Sequence, residues 1–182
     1  MNFRPALLSL LLAAALGGCS SLDKINPFAS SSKVKMAELD TIKPSVNVVS
    51  LWQGRAGKAE DYVFTPAVVD SSVYVAANNG SVTRFDDGKQ AWQVSAGQPL
   101  SGGVGSDGRL VVVGTPKGEI IAFDAKDGKQ LWKARASSDI LAAAAVSADI
   151  VVVRTGDNRL YGFDPADGKR KWVYQRNNPA LS

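Results

Sequence analysis

Apolar and polar positions alternate in short bursts, and clusters of turn-forming residues cut one burst from the next. The first set covers residues 64–69, 73–77, 82–85 and 90–94, divided by Asp70-Ser71-Ser72, Asn78-Asn79-Gly80 and Asp87-Gly88. Period-two bursts bounded by residues that tolerate tight backbone predict antiparallel strands joined by hairpins. The plan returns at 102–105, 110–113, 119–123 and 130–134, and again at 141–146, 150–154, 159–163 and 171–174. Two of these bursts, Val111-Val112-Val113 and residues 150–153, are apolar without a break. Such runs predict strands buried on both faces. A looser alternation over 46–53, carried by Val46, Val48, Leu51 and Trp52, predicts one further strand.

The sets share a fixed step. Trp52, Trp92, Trp132 and Trp172 are spaced at forty residues, and Asp-Gly-Lys triplets begin at Asp87, Asp127 and Asp167 with the same spacing. A period of this length with a turn and an aromatic in register marks a repeat architecture, and four short strands per repeat match a propeller blade. The predicted fold is an all-β propeller with blades at 64–94, 101–134 and 141–174, and an inter-blade loop starting at 175–182. Trp52 holds the place of the other tryptophans, so 46–53 reads as a closing fourth strand without its own first three. Closed propellers have four to eight blades, so three blades and one strand predict the amino-terminal part of a longer protein. On its own such a piece is expected to be marginal or prone to association through open faces.

The amino terminus departs from this pattern. Arg4 precedes an apolar run from Pro5 to Leu16, which ends in Leu16-Gly17-Gly18-Cys19 and then turns polar. A charged start and an apolar core too short to span a membrane durably read as a secretory signal over residues 1–18. Residues 19–45, with Ser30-Ser31-Ser32 and Asn26-Pro27, suit a flexible tether.

Composition removes several chemistries from this chain. It has no histidine and one cysteine, which excludes histidine-based triads, histidine-ligated metal and an intramolecular disulfide. The net charge is +4, but Lys and Arg are dispersed over turns, with only Lys169-Arg170-Lys171 adjacent. That dispersal reads as solvated surface and not as a nucleic-acid footprint. The Asp pairs 124/127 and 164/167 could suggest calcium, yet they recur at every turn and read as turn caps. Ser101-Gly102-Gly103-Val104-Gly105 sits at a blade's first strand, where small residues allow close packing near the axis.

Two resemblances add to this. Leu16-Gly17-Gly18-Cys19 resembles the lipobox of bacterial lipoproteins, which implies acylation of Cys19, and Ser20 after it implies an outer-membrane destination. Ala122, Asp124, Gly128 and Trp132, and again Asp164, Gly168 and Trp172, resemble the pyrroloquinoline-quinone-type propeller repeat, Ala-x-Asp-x-x-Thr-Gly-x-x-x-Trp. Asp127 replaces the threonine, Gly162 the alanine, and the copy at 86–92 is two residues shorter. In that repeat the Trp packs between blades while Asp and Gly set the turn.

Lipobox, tether and repeat together resemble the BamB family of outer-membrane lipoproteins. That resemblance implies an eight-bladed ring and a non-catalytic scaffold of the β-barrel assembly machinery, without a cofactor. It implies as partners a periplasmic POTRA domain of BamA, the other Bam subunits and unfolded outer-membrane protein clients. The family's contact segment, Pro-x-Leu-Ser-Leu-Arg, begins in this chain as Pro179-Ala180-Leu181-Ser182, which makes Pro179 and Leu181 the candidate partner contacts. Two other expectations compete: a quinone-dependent dehydrogenase, which needs an axial cofactor pocket and usually calcium, and a periplasmic ligand-sensing propeller.

Overall fold

The computed structural model describes residues 45–175; the predicted signal, Cys19, the tether up to residue 44, and Pro179 and Leu181 lie outside them. Twelve strands form three four-stranded antiparallel sheets, each a meander in sequence order. The first sheet is β1 (Ala67–Val69), β2 (Ser72–Ala76), β3 (Ser81–Asp86) and β4 (Lys89–Ser95). The second is β5 (Gly105–Ser106), β6 (Leu110–Gly114), β7 (Glu119–Asp124) and β8 (Gln130–Arg135). The third is β9 (Ala145–Val146), β10 (Val151–Arg154), β11 (Arg159–Phe163) and β12 (Arg170–Gln175). This is the blade plan read from the pattern, and the sheets stack as blades do.

The middle sheet explains the unbroken apolar runs. Val111, Val113, Ile121 and Phe123 point at the first sheet and pack with Tyr74, Val82, Leu100 and Val104. Their neighbours Leu110, Val112, Ile120 and Ala122 point the other way, onto Ile140, Val151, Val153, Tyr161 and Phe163. Successive side chains of a strand face opposite sides, so a strand clamped between two sheets is apolar at every position. β6 is buried throughout. β10 departs from the prediction: Val151 and Val153 are buried, but Val152 is half-buried and Arg154 exposed, because among the described residues only one face of the third sheet is covered.

The first strand of each sheet is shorter than the pattern predicts: 64–69, 102–105 and 141–146 shrink to β1, β5 and β9. Here the main chains of neighbouring sheets approach one another directly. Val104 N–H donates to the Thr65 carbonyl at 2.9 Å, and a Cβ on Gly103 would lie 2.8 Å from Thr65 N. A backbone group bonded across to the next sheet is withdrawn from its own ladder.

Residues 46–53 are not a strand, contrary to the pattern. Extended backbone becomes a strand only against a neighbour's N–H and C=O groups, and no such neighbour lies among the described residues. Val46, Val48 and Leu51 are exposed. Trp52 is held through its side chain instead, stacked on Phe85 with ring centroids 6.0 Å apart.

Candidate functional site

The repeat residues converge on the seams between sheets. Trp92 comes from β4 and its ring lies against Gly128 in the turn of the next sheet; Trp132, from β8, lies likewise against Gly168. Each indole N–H donates across the seam to a backbone carbonyl: Trp92 Nε1 to Ala125 at 3.1 Å, Trp132 Nε1 to Pro165 at 2.8 Å. The glycines are required twice over. Their φ values, +74° and +71°, are left-handed, and a Cβ on Gly168 would sit 2.6 Å from Trp132 Cε3. A flat ring can therefore press on the bare turn, and its polar edge finds an acceptor.

The short first copy builds the same seam differently. β3 and β4 are joined by Asp87-Gly88 alone, both with positive φ (48° and 79°), as a two-residue hairpin of type I′ requires. Trp52 covers Gly88 as its counterparts cover theirs, but the missing residues take away the carbonyl, and Trp52 stacks on Phe85 instead.

The aspartates of the longer turns cap backbone N–H groups. Asp124 Oδ1 accepts from Lys126 N–H at 2.7 Å and Asp127 Oδ1 from Lys129 N–H at 2.9 Å. Asp164 and Asp167 repeat this with Ala166 and Lys169. The Ala166 N–H, with Lys171, holds the Asp164 carboxyl below the usual range; Lys169 does so for Asp167. One oxygen of each is committed to the turn, a poor starting point for a calcium cage. Among the described residues no three or more acidic, Cys or His side chains gather as a metal site.

Two polar links were not legible in the sequence. Arg84 donates to Asp86 at 2.7 Å and across the seam to the Ala125 carbonyl at 2.9 Å, the acceptor also used by Trp92. That bond to Asp86 raises the Arg84 pKa and lowers that of Asp86. At the opposite rim Asp157 accepts from Ser137 at 2.6 Å and Arg159 at 2.9 Å, while Tyr161 donates to Ser137 at 2.6 Å. The Ser137 hydroxyl, then Thr155, keep the Asp157 carboxyl low. Arg84 stands directly opposite Trp92 in the ladder, a pairing that only the structure's register gives.

The concavities are shallow and open. One of about 300 Å3 is lined by Leu141, Ala142, Arg154, Thr155 and Gly156 on the third sheet. One of about 350 Å3 lies between turns of the second and third sheets, with Arg109, Asp124, Leu131, Asp164 and Pro165. What the described residues present is a stack of three sheets with two rims of short, capped loops.

Comparison with known proteins follows the same lines. Residues 78–182 match a family model described as outer membrane protein assembly factor BamB. The chain is 41% identical over 112 residues to the outer membrane protein assembly factor BamB of Bordetella pertussis, covering 60% of this chain and 28% of that protein. The crystal structure of BamB from Moraxella catarrhalis superposes with a TM-score of 0.60 at 32% identity, over 66% of this chain and 37% of that one. A europium-containing methanol dehydrogenase superposes with a TM-score of 0.53 at 26% identity, over 63% of this chain and 24% of the enzyme. The chain thus spans about a quarter to two fifths of the length of these proteins.

Proposed function

This chain belongs to the BamB family of outer membrane protein assembly factors, and from that premise we propose that it is a non-catalytic scaffold of outer-membrane β-barrel assembly. It docks on a periplasmic POTRA domain of BamA alongside the other Bam subunits, and assists unfolded outer-membrane protein clients. Acylated Cys19 holds it to the outer membrane on the periplasmic side, with residues 20–45 as tether. Several acyl chains on one cysteine would make the anchoring stable, since a single chain is marginal. The partner contact lies on the loop after the third blade, at Pro179 and Leu181.

The observation that carries this reading is the family match over 78–182 together with the blade geometry beneath it. Rigid seams support it, because a docking rim works best when its loops are held before the partner arrives. The turn-capping geometry of Asp124, Asp127, Asp164 and Asp167 supports it over the dehydrogenase reading.

The test is capture of purified periplasmic BamA domains by the full-length chain, compared with Leu181→Glu. Saturable binding, weakened about tenfold or more by burying that charge, is the expected result. Binding untouched by Leu181→Glu would keep the function and remove the site. Absence of binding, with stoichiometric uptake of pyrroloquinoline quinone and calcium, would overturn the scaffold in favour of an enzyme.

A further inference from the structure

Asn79 is followed by Gly80, and no other asparagine in the chain precedes a glycine. The pair forms the turn between β2 and β3, with Asn79 exposed and Gly80 at φ +92°. Asn79 Oδ1 accepts from the Ser81 backbone N–H at 3.1 Å. An open groove lined by Asn79, Ser81, Gln93, Val94 and Ser95 gives water access to the side chain. We propose that Asn79 is a self-modification site, where the Gly80 backbone nitrogen attacks the Asn79 side-chain carbonyl and converts the residue to aspartate and isoaspartate.

The step balances without any added reagent beyond water. Gly80 N forms a bond to Asn79 Cγ, and the side-chain nitrogen leaves as ammonia, carrying the proton that Gly80 N gave up. The cyclic imide then takes up one water at either carbonyl, giving aspartate or, with the backbone rerouted through the side chain, isoaspartate. Negative charge grows on Asn79 Oδ1 during attack, and the Ser81 N–H already points at that oxygen. Gly80 has no side chain to shield its nitrogen. Attack must displace one bond, Gly80 N–H to the Ala77 carbonyl at 3.0 Å; Gly80 itself is buried against the Gln98 backbone, and only the Asn79 side chain is exposed.

The consequence reaches the link between blades. The carbonyls flanking Asn79 hold the connection from the first sheet to the second: Ala96 N–H donates to Gly80 at 2.8 Å and Leu100 N–H to Asn78 at 3.1 Å. Leu100 is fully buried. Isoaspartate adds a methylene to the main chain between those two acceptors, so it loosens that connection. Plain aspartate leaves the backbone length intact. The third blade already carries Asp157 at the matching turn position, where Ser137 and Arg159 satisfy it.

The full-length chain, folded and in parallel unfolded in urea, is held at mildly alkaline pH and mapped by peptide mass spectrometry. The folded chain is expected to exchange NH for O at Asn79 about tenfold faster than at Asn78 or Asn158, since glycine leaves the attacking nitrogen unshielded. Isoaspartate should appear with it, and amide exchange at Ala96 should accelerate in aged wild type but not in Asn79→Asp. Conversion at Asn79 in urea with none in the folded chain would overturn the proposal, because the turn would then protect the residue. So would equal conversion at Asn78, Asn79 and Asn158.

Discussion

Trp132 and Trp172 hold the same place in consecutive repeats, yet among the described residues their surroundings differ. Trp132 is 6% exposed, wedged between two sheets with its indole N–H bonded across the seam. Trp172 is 40% exposed and lies back on its own sheet, its ring against Gly162, the residue paired with it in the ladder. In the second blade that partner is Ala122. The motif therefore prepares a tryptophan for a seam but does not bury it; the Gly turn and carbonyl of the next blade do that. Burial in a repeat protein is a property of the interface between units.

The sharpest way to break this contrast is to remove both rings in turn. Trp132→Ala should cost about 3–5 kcal/mol, as loss of a buried large aromatic does, and Trp172→Ala about 1 kcal/mol or less, as for exposed positions. Urea unfolding midpoints measure both, and equal losses would break the comparison. Next come the glycines beneath the rings. Gly168→Ala combines a φ of +71° with a clash against a ring that cannot move, at about 1–3 kcal/mol. Gly162→Ala meets a ring free to swing into solvent, and should cost about 0.5–1 kcal/mol at most in the same assay.

How much of this was legible depended on whether one strand or two sheets decided it. Asp87-Gly88 and Gly128 announced their turns because positive φ is a local demand that few residues meet. Val111-Val112-Val113 announced a doubly buried strand correctly, while in the equally apolar run at 150–153 Val152 is half-buried, since among the described residues only one face of the third sheet is covered. Residues 46–53 carry a strand's alternation without a strand's partner. The link from Arg84 to Ala125 spans two blades, and no spacing rule joins them. Cys19, Pro179 and Leu181 lie outside the described residues, so the proposed anchor and contact rest on resemblance and on the experiment above.

A smaller effect separates seam from surface by pH. The Arg84 guanidinium holds Asp86 low; a carboxyl depressed in the folded state stabilises above its unfolded value and loses that contribution as pH falls through the folded one. Stability should therefore decline below about pH 4. Arg84→Met, which also removes the bond to Ala125, should flatten that decline more than Lys169→Met, whose pair with Asp167 is on an exposed turn. Denaturant titrations across that range would show it, and identical slopes in the two variants would remove Arg84 from the seam.

The central claim is that the neighbouring blade, not the tryptophan's own strand, sets its environment. Hydrogen–deuterium exchange of the four indole N–H groups, followed by NMR on this 182-residue chain, tests it most directly. Trp92 and Trp132 should exchange about a hundredfold more slowly than Trp172, because their N–H groups are bonded across a packed seam. If Trp172 were protected as strongly as Trp132, the account would be contradicted.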